Sequence, residues 1–175
     1  MISQIIKKFT VLNNKKNLHE KHNLFSLIII LYITSGLYFI IDFSSVTEFP
    51  INDEGGFAFP IWSLIYKEKL YIFGNNAAWS IPQTYLGYIV SKIFGFSFLN
   101  LRLLALTISS LFYFFIYFYL NKFNDNKNLN SLFLGIFIFF PSIYFNSYLF
   151  MSDILFLFLL IVALYYFESY INKNS

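Results

Sequence analysis

The sequence has no cysteine and few charged residues. Only 12% of its 175 residues are Asp, Glu, Lys or Arg, against about 25% in an ordinary soluble domain. The absence of cysteine excludes disulfides, thiolate zinc sites and thiol catalysis. The low content of charge excludes a disordered chain and a nucleic-acid binder of the usual charged kind.

Apolar residues are abundant instead. They make up 58% of the chain, and aromatic residues alone make up 23%, whereas soluble domains are about 45–50% apolar. A chain of this size has too little interior to bury so much apolar surface. The composition therefore excludes a soluble enzyme and indicates an integral membrane protein.

Four segments are long and apolar enough to cross a membrane as helices, which takes about 20 residues. They cover residues 24–41, 101–120, 131–150 and 154–170, and the third contains Pro141. We therefore predict an all-α integral membrane protein with about four transmembrane helices. Residues 24–170 form a single membrane domain, flanked by a basic tail at 1–23 and a short tail at 171–175.

A large loop at 42–100 separates the first two predicted spans. Within it, residues 57–71 read as an amphipathic segment that ends in Lys67, Glu68 and Lys69. Pro82 leads a second helical run that Gly95 ends, as proline and glycine commonly do at helix termini. We expect the loop to fold as interfacial helices.

The distribution of Lys and Arg predicts the orientation, because these residues favour the cytoplasmic side. With the N-terminus inside, eight basic residues lie inside and four outside. Both termini are thus expected inside, with the first span as a signal anchor. The tail at 1–23 is either a short amphipathic helix on the inner leaflet or an unstructured basic segment.

Acidic residues mark the candidate site. Asp53 and Glu54 precede Gly55 and Gly56, which we expect to form a turn and to let the backbone approach other groups closely. Such a pair is either solvated surface or part of a site. Asp153 lies on the same predicted face, where it caps the following helix, joins the site, or does both.

The order of these features resembles the start of the GT-C membrane glycosyltransferases. The likeness is strongest to the protein O-mannosyltransferase, aminoarabinose-transferase and Rgt-like types. It rests on one span, an acidic pair, an interfacial helix, and the segment IPQTYLGYIVSKIFGFSFLNLRLLALTISSLF with its Phe-Gly and Arg-Leu sequences. It covers residues 24–167. This chain departs from the family in having Ile81-Pro82 where paired prolines are common, and in being much shorter.

The resemblance implies a transferase of the cell envelope that moves a sugar from a polyprenyl-phosphate carrier to a lipid, glycan or protein acceptor on the outer membrane face. Asp53 is then the catalytic base or the carboxylate that orients the acceptor, with Glu54 as its neighbour. Some members hold a divalent metal with acids that match Asp53 and Asp153. Arg102 either contacts the carrier phosphate or is an interfacial residue that snorkels to water.

The shortness implies that the chain is the N-terminal portion of such an enzyme, with a missing C-terminal half or a partner subunit. Whether it is active alone stays open. The alternative is a small, non-catalytic membrane scaffold or accessory subunit. A transporter fragment ranks third, because the sequence shows no internal inverted repeat.

Overall fold

The computed structural model describes residues 23–46, 48–51, 53–71 and 81–174. These residues form helices and their connections. In chain order the helices are α1 (Asn23–Val46), α2 (Glu54–Tyr66), α3 (Ile81–Phe94), α4 (Phe98–Phe123), α5 (Lys127–Ile138), α6 (Pro141–Asn146) and α7 (Ser152–Asn174). The N-terminal tail, with its two alternative interpretations, lies outside the described residues.

Three of these helices are long and apolar enough to cross a membrane. They are Leu24–Asp42 in α1, Phe98–Phe123, which is all of α4, and Ser152–Ile171 in α7. The prediction of an all-α chain is confirmed for the described residues, and the three apolar helices agree with a membrane protein. The three segments correspond to the first, second and fourth predicted spans.

The third predicted span, residues 131–150, is not one continuous helix. α5 ends at Ile138, and α6 begins at Pro141 after a turn. Proline has no N–H to donate and disfavours helical geometry in the residue before it. Phe140 accordingly has an extended ψ of 124°. Three continuous helices of membrane-spanning length therefore remain among the described residues.

α4 is the central helix, since it packs against α1, α3, α5 and α7. Its contacts with α1 and α5 enclose a bundle core of buried apolar residues. The bundle core consists of Phe25, Ile28, Ile29, Tyr32, Ile40, Leu106, Phe112, Tyr113, Tyr117, Leu134, Ile138, Tyr148 and Ile154. Aromatic rings are frequent in it, and those of Phe25 and Tyr117 stack with their centroids 3.8 Å apart.

A second, smaller apolar cluster joins α2 and α3 to the start of α4. This end cluster contains Ala58, Ile61, Leu101 and Phe150. α3 begins at Ile81 and is followed by Gly95, whose φ of +90° is the left-handed geometry that glycine adopts readily. The prediction for this helix is confirmed.

The expected turn at Gly55 and Gly56 is wrong. Both glycines lie in the first turn of α2, because the helix begins directly after Asp53. The expected close approach of the backbone does occur at Gly55. A Cβ atom there would lie 3.3 Å from Cβ and Cγ of Pro50.

Hydroxyl groups stabilise the segment that follows the helix break. Tyr32 on α1 shares a hydrogen bond with Ser109 on α4, and Ser109 Oγ donates to the backbone oxygen of Ser147 at 3.2 Å. The hydroxyls of Tyr113 and Ser147 also form a hydrogen bond. Buried backbone groups released by a broken helix need such partners, so these contacts fix the connection between α6 and α7.

Candidate functional site

Glu54 is fully buried at the end of the molecule where α2, α4 and α7 begin. Its carboxylate accepts hydrogen bonds from four donors. Two are backbone N–H groups, those of Ile51 and Phe150, each at 2.9 Å. The other two are the Nε and Nη2 atoms of Arg102, at 3.2 and 2.7 Å. The acid therefore joins α2 to α4 and to the connection before α7.

Arg102 is fully buried as well. Besides its ion pair with Glu54, its Nη2 donates to the backbone oxygen of Phe49 at 2.8 Å. The guanidinium also lies over the ring of Phe98, 5.6 Å from the centroid. We call Glu54, Arg102 and the backbone groups of Phe49, Ile51 and Phe150 the clamp.

The clamp satisfies the conditions under which a buried charge is tolerated. Desolvation of an ion costs several kcal/mol, which only close pairing and further hydrogen bonds offset. The two-nitrogen contact of Arg102 and the two N–H groups on Glu54 supply both. Loss of one member would leave the other charge buried without its counter-ion.

Asp53, beside the clamp, is exposed. It occupies the N-cap position of α2, yet its side chain accepts no hydrogen bond from that helix. Its backbone oxygen accepts instead from Gly56 N at 2.9 Å. Among the described residues no ion pair engages the Asp53 carboxylate, which leaves it accessible to a molecule outside the protein.

Asp153 is exposed in the first turn of α7. It lies inside the helix and not at the cap position before it, so the structure does not use it as an N-cap. A negative charge there interacts favourably with the helix dipole. Because Glu54 binds the N–H of Phe150, the clamp places the segments that carry Asp53 and Asp153 at the same end of the molecule.

The predicted metal site has no further ligands in the part of the chain that the structure describes. No three His, Cys, Asp or Glu residues there are grouped to hold an ion. Two exposed carboxylates provide at most four oxygens, fewer than the six to eight that Ca²⁺ takes. The metal role of Asp53 and Asp153 stays a prediction, and no chemical step is assigned to a metal here.

The structure buries Arg102, which contradicts one of its two sequence interpretations. The snorkelling interpretation expects the guanidinium in water, whereas it is buried. A role at a carrier phosphate stays a prediction that these contacts do not support, because the guanidinium faces Glu54. The pairing of Glu54 with Arg102 was not predicted. A signal for it existed, since an arginine at the start of an apolar span needs a partner.

Comparison with known proteins identifies no relative of this chain. It matches no family model, no curated protein and no solved structure.

Proposed function

We propose that the chain is a membrane glycosyltransferase of the GT-C kind, or the N-terminal part of one, and uses a polyprenyl-phosphate sugar as donor. One observation carries the proposal. Of two adjacent acids, Glu54 is buried in the clamp while Asp53 is exposed beside it without an ion-pair partner in the described residues. Glu54 fixes the backbone at this position, and Asp53 is exposed where it can contact a substrate.

The chemistry suits an exposed carboxylate on a fixed backbone. An acceptor hydroxyl is a weak nucleophile, and a positioned carboxylate accepts its proton as the oxygen attacks the anomeric carbon of the sugar. The bond from that carbon to the carrier phosphate breaks, and the phosphate leaves with the bonding electrons. In this proposal Asp53 is the base, and the clamp is what positions it.

The topology belongs to the same proposal. Both termini lie inside, and the segment at 131–150 crosses the membrane as the broken pair α5 and α6, which makes four spans. Broken helices are tolerated at membrane depth where protein groups satisfy the released backbone, and the hydrogen bond from Ser109 to the backbone oxygen of Ser147 supports this. Asp53 and Asp153 then face the outside, and the proposed membrane is the bacterial inner membrane.

Labelling of introduced cysteines tests the topology, because the chain has none of its own. Lys69 and Asp125 are both exposed. In intact cells, Lys69→Cys should react with a membrane-impermeant maleimide, while Asp125→Cys should react only after permeabilisation. The reverse pattern would contradict the orientation.

The catalytic role is tested by Asp53→Asn. Membranes that carry the chain in its natural context are given a labelled polyprenyl-phosphate sugar, and transfer to lipid, glycan and protein fractions is measured. We expect a loss of about 10²–10⁴-fold, the usual contribution of a general base. Asp125→Asn is the matched control and should leave transfer unchanged. Full transfer by Asp53→Asn would remove this residue from the mechanism.

A non-catalytic accessory subunit is the second candidate, and one observation favours it. Only 11% of the apolar span in α7 is buried within the described residues, which leaves most of that helix for lipid or for partner helices. In this case Asp53→Asn is silent in every assay. Tryptophan substitutions on the exposed face of α7, for example at Leu160, then release a partner that co-purifies with the native chain.

A further inference from the structure

A small cavity lies where α3, α4 and the start of α7 meet. Its walls include Gln83 from α3, Ala105 and Ile108 from α4, and Met151 and Ile154 at the start of α7. Its free volume is about 10 Å³, close to the minimum that holds one water molecule. Two polar side chains line it, those of Gln83 and Ser147, and the hydroxyl of Ser147 is already hydrogen-bonded to Ile143 and Tyr113.

Gln83 lines this cavity, and its side-chain oxygen accepts no hydrogen bond from the described residues. The residue is only 3% exposed. Its Oε1 atom is buried and has no hydrogen-bond partner among the described residues. A buried amide oxygen that accepts no hydrogen bond destabilises the protein. Gln83 therefore needs a donor that the surrounding described groups do not supply.

The N-terminus of α7 lies at the same cavity, and two of its first backbone N–H groups have no acceptor among the described residues. The first N–H groups of a helix have no partner within it. Across residues 81–174, no acceptor receives the backbone N–H groups of Asp153 and Ile154. Ile154 itself lines the cavity and is 5% exposed.

We propose that one water molecule binds in this cavity, donating to Oε1 of Gln83 and accepting from the N-terminal turn of α7. A water molecule can donate a hydrogen bond to Gln83 and accept one from the N-terminal turn of α7. The volume of the cavity admits no larger group. An anion would meet the acceptor of Gln83. A metal cation would meet backbone N–H groups.

The water is a structural bridge that Gln83 helps to hold. It links α3 to the turn that carries Asp153. That turn follows Phe150, whose N–H donates to Glu54. The inference does not depend on the proposed sugar transfer, because it concerns only the resting protein.

Through-space magnetisation transfer from water to backbone amides tests this directly in detergent-solubilised protein. The native chain should show transfer to the amide of Ile154 or Asp153, with the sign of a long-lived bound water. Gln83→Leu should lose that signal, while Tyr85→Leu, an exposed position on the same helix, should keep it. Absence of the signal in the native protein would overturn the proposal.

Thermal unfolding supplies an independent readout. If the water is present, Gln83→Leu removes its acceptor and should lower the melting temperature by about 2–4 °C. If the cavity is dry, the same change removes an unpaired buried amide and raises the melting temperature, which contradicts the proposal. The melting temperature of Tyr85→Leu is the reference for a change on α3 that leaves the cavity alone.

Discussion

The end of the molecule around α2 and the bundle of α1, α4 and α5 are held together in different ways. At the α2 end, one buried ion pair joins three segments, with a small apolar cluster beside it. The bundle core relies on many buried apolar side chains and stacked rings. Apolar packing spreads its free energy over many contacts, whereas the clamp concentrates it in one pair.

The difference bears on function because the exposed acids lie at the clamped end. Asp53 directly precedes Glu54, and Asp153 follows Phe150 by three residues. A reacting carboxylate must be held in a defined place, and few apolar contacts are available at this end to do so. The clamp therefore provides the order that the bundle obtains from packing.

The largest expected effect comes from Arg102→Met, which leaves Glu54 buried without its counter-ion. We expect a loss of about 3–5 kcal/mol in the free energy of unfolding, measured by denaturant titration in mixed micelles. The control is Lys122→Met, which breaks the half-exposed pair of Lys122 with Glu168 and should cost about 0–1 kcal/mol. Equal losses of unfolding free energy in the two variants would show that the clamp contributes no more to stability than a surface ion pair.

An intermediate effect is expected where α3 meets the end cluster. A Cβ atom at Gly87 would contact Ile61 and lie 2.9 Å from Cζ of Phe150. Overpacking usually costs about 1–3 kcal/mol, and alanine recovers about 1 kcal/mol of helix propensity. Gly87→Ala should therefore destabilise by up to about 2 kcal/mol.

The control for that substitution lies in the bundle. At Gly135, the nearest atom to an added Cβ is Cδ1 of Ile28, at 3.1 Å, the end of a side chain that can move. Gly135→Ala should be neutral or stabilising in the same titration. A larger loss at Gly135 than at Gly87 would mean that the bundle is the less tolerant region.

The smallest effect is expected from hydroxyl groups within the bundle. Tyr113 hydrogen-bonds to Ser147, while the hydroxyl of Tyr117 is buried without a partner among the described residues. Tyr113→Phe should cost about 0.6 kcal/mol, the mean for hydrogen bonds between membrane helices. Tyr117→Phe should be neutral or stabilising. A greater cost for Tyr117→Phe would show that its hydroxyl has a partner after all.

Local signals in the sequence predict much of the fold. Long apolar runs predict α1, α4 and α7, and the punctuation by Pro82 and Gly95 predicts α3. Pro141 is visible within the third apolar run, yet apolarity alone does not show where a helix breaks. Apolar runs and helix-end residues therefore predict where helices form better than they predict where a helix breaks.

The candidate site is predicted only in part. The acidic pair is visible in the sequence, but the division between a buried Glu54 and an exposed Asp53 is not. That division depends on Arg102, 48 residues away, and on the backbone of Phe150, 96 residues away. Contacts over such separations are set by packing and leave no periodic trace in the sequence.

A double-mutant cycle between Glu54 and Arg102 tests the central claim most directly. The free energy of unfolding is measured for the native chain, Glu54→Gln, Arg102→Met and the double variant. If the clamp is a buried ion pair that holds the α2 end, the double variant is more stable than Arg102→Met alone, because no unpaired charge remains. Additive losses from the two substitutions would contradict the account.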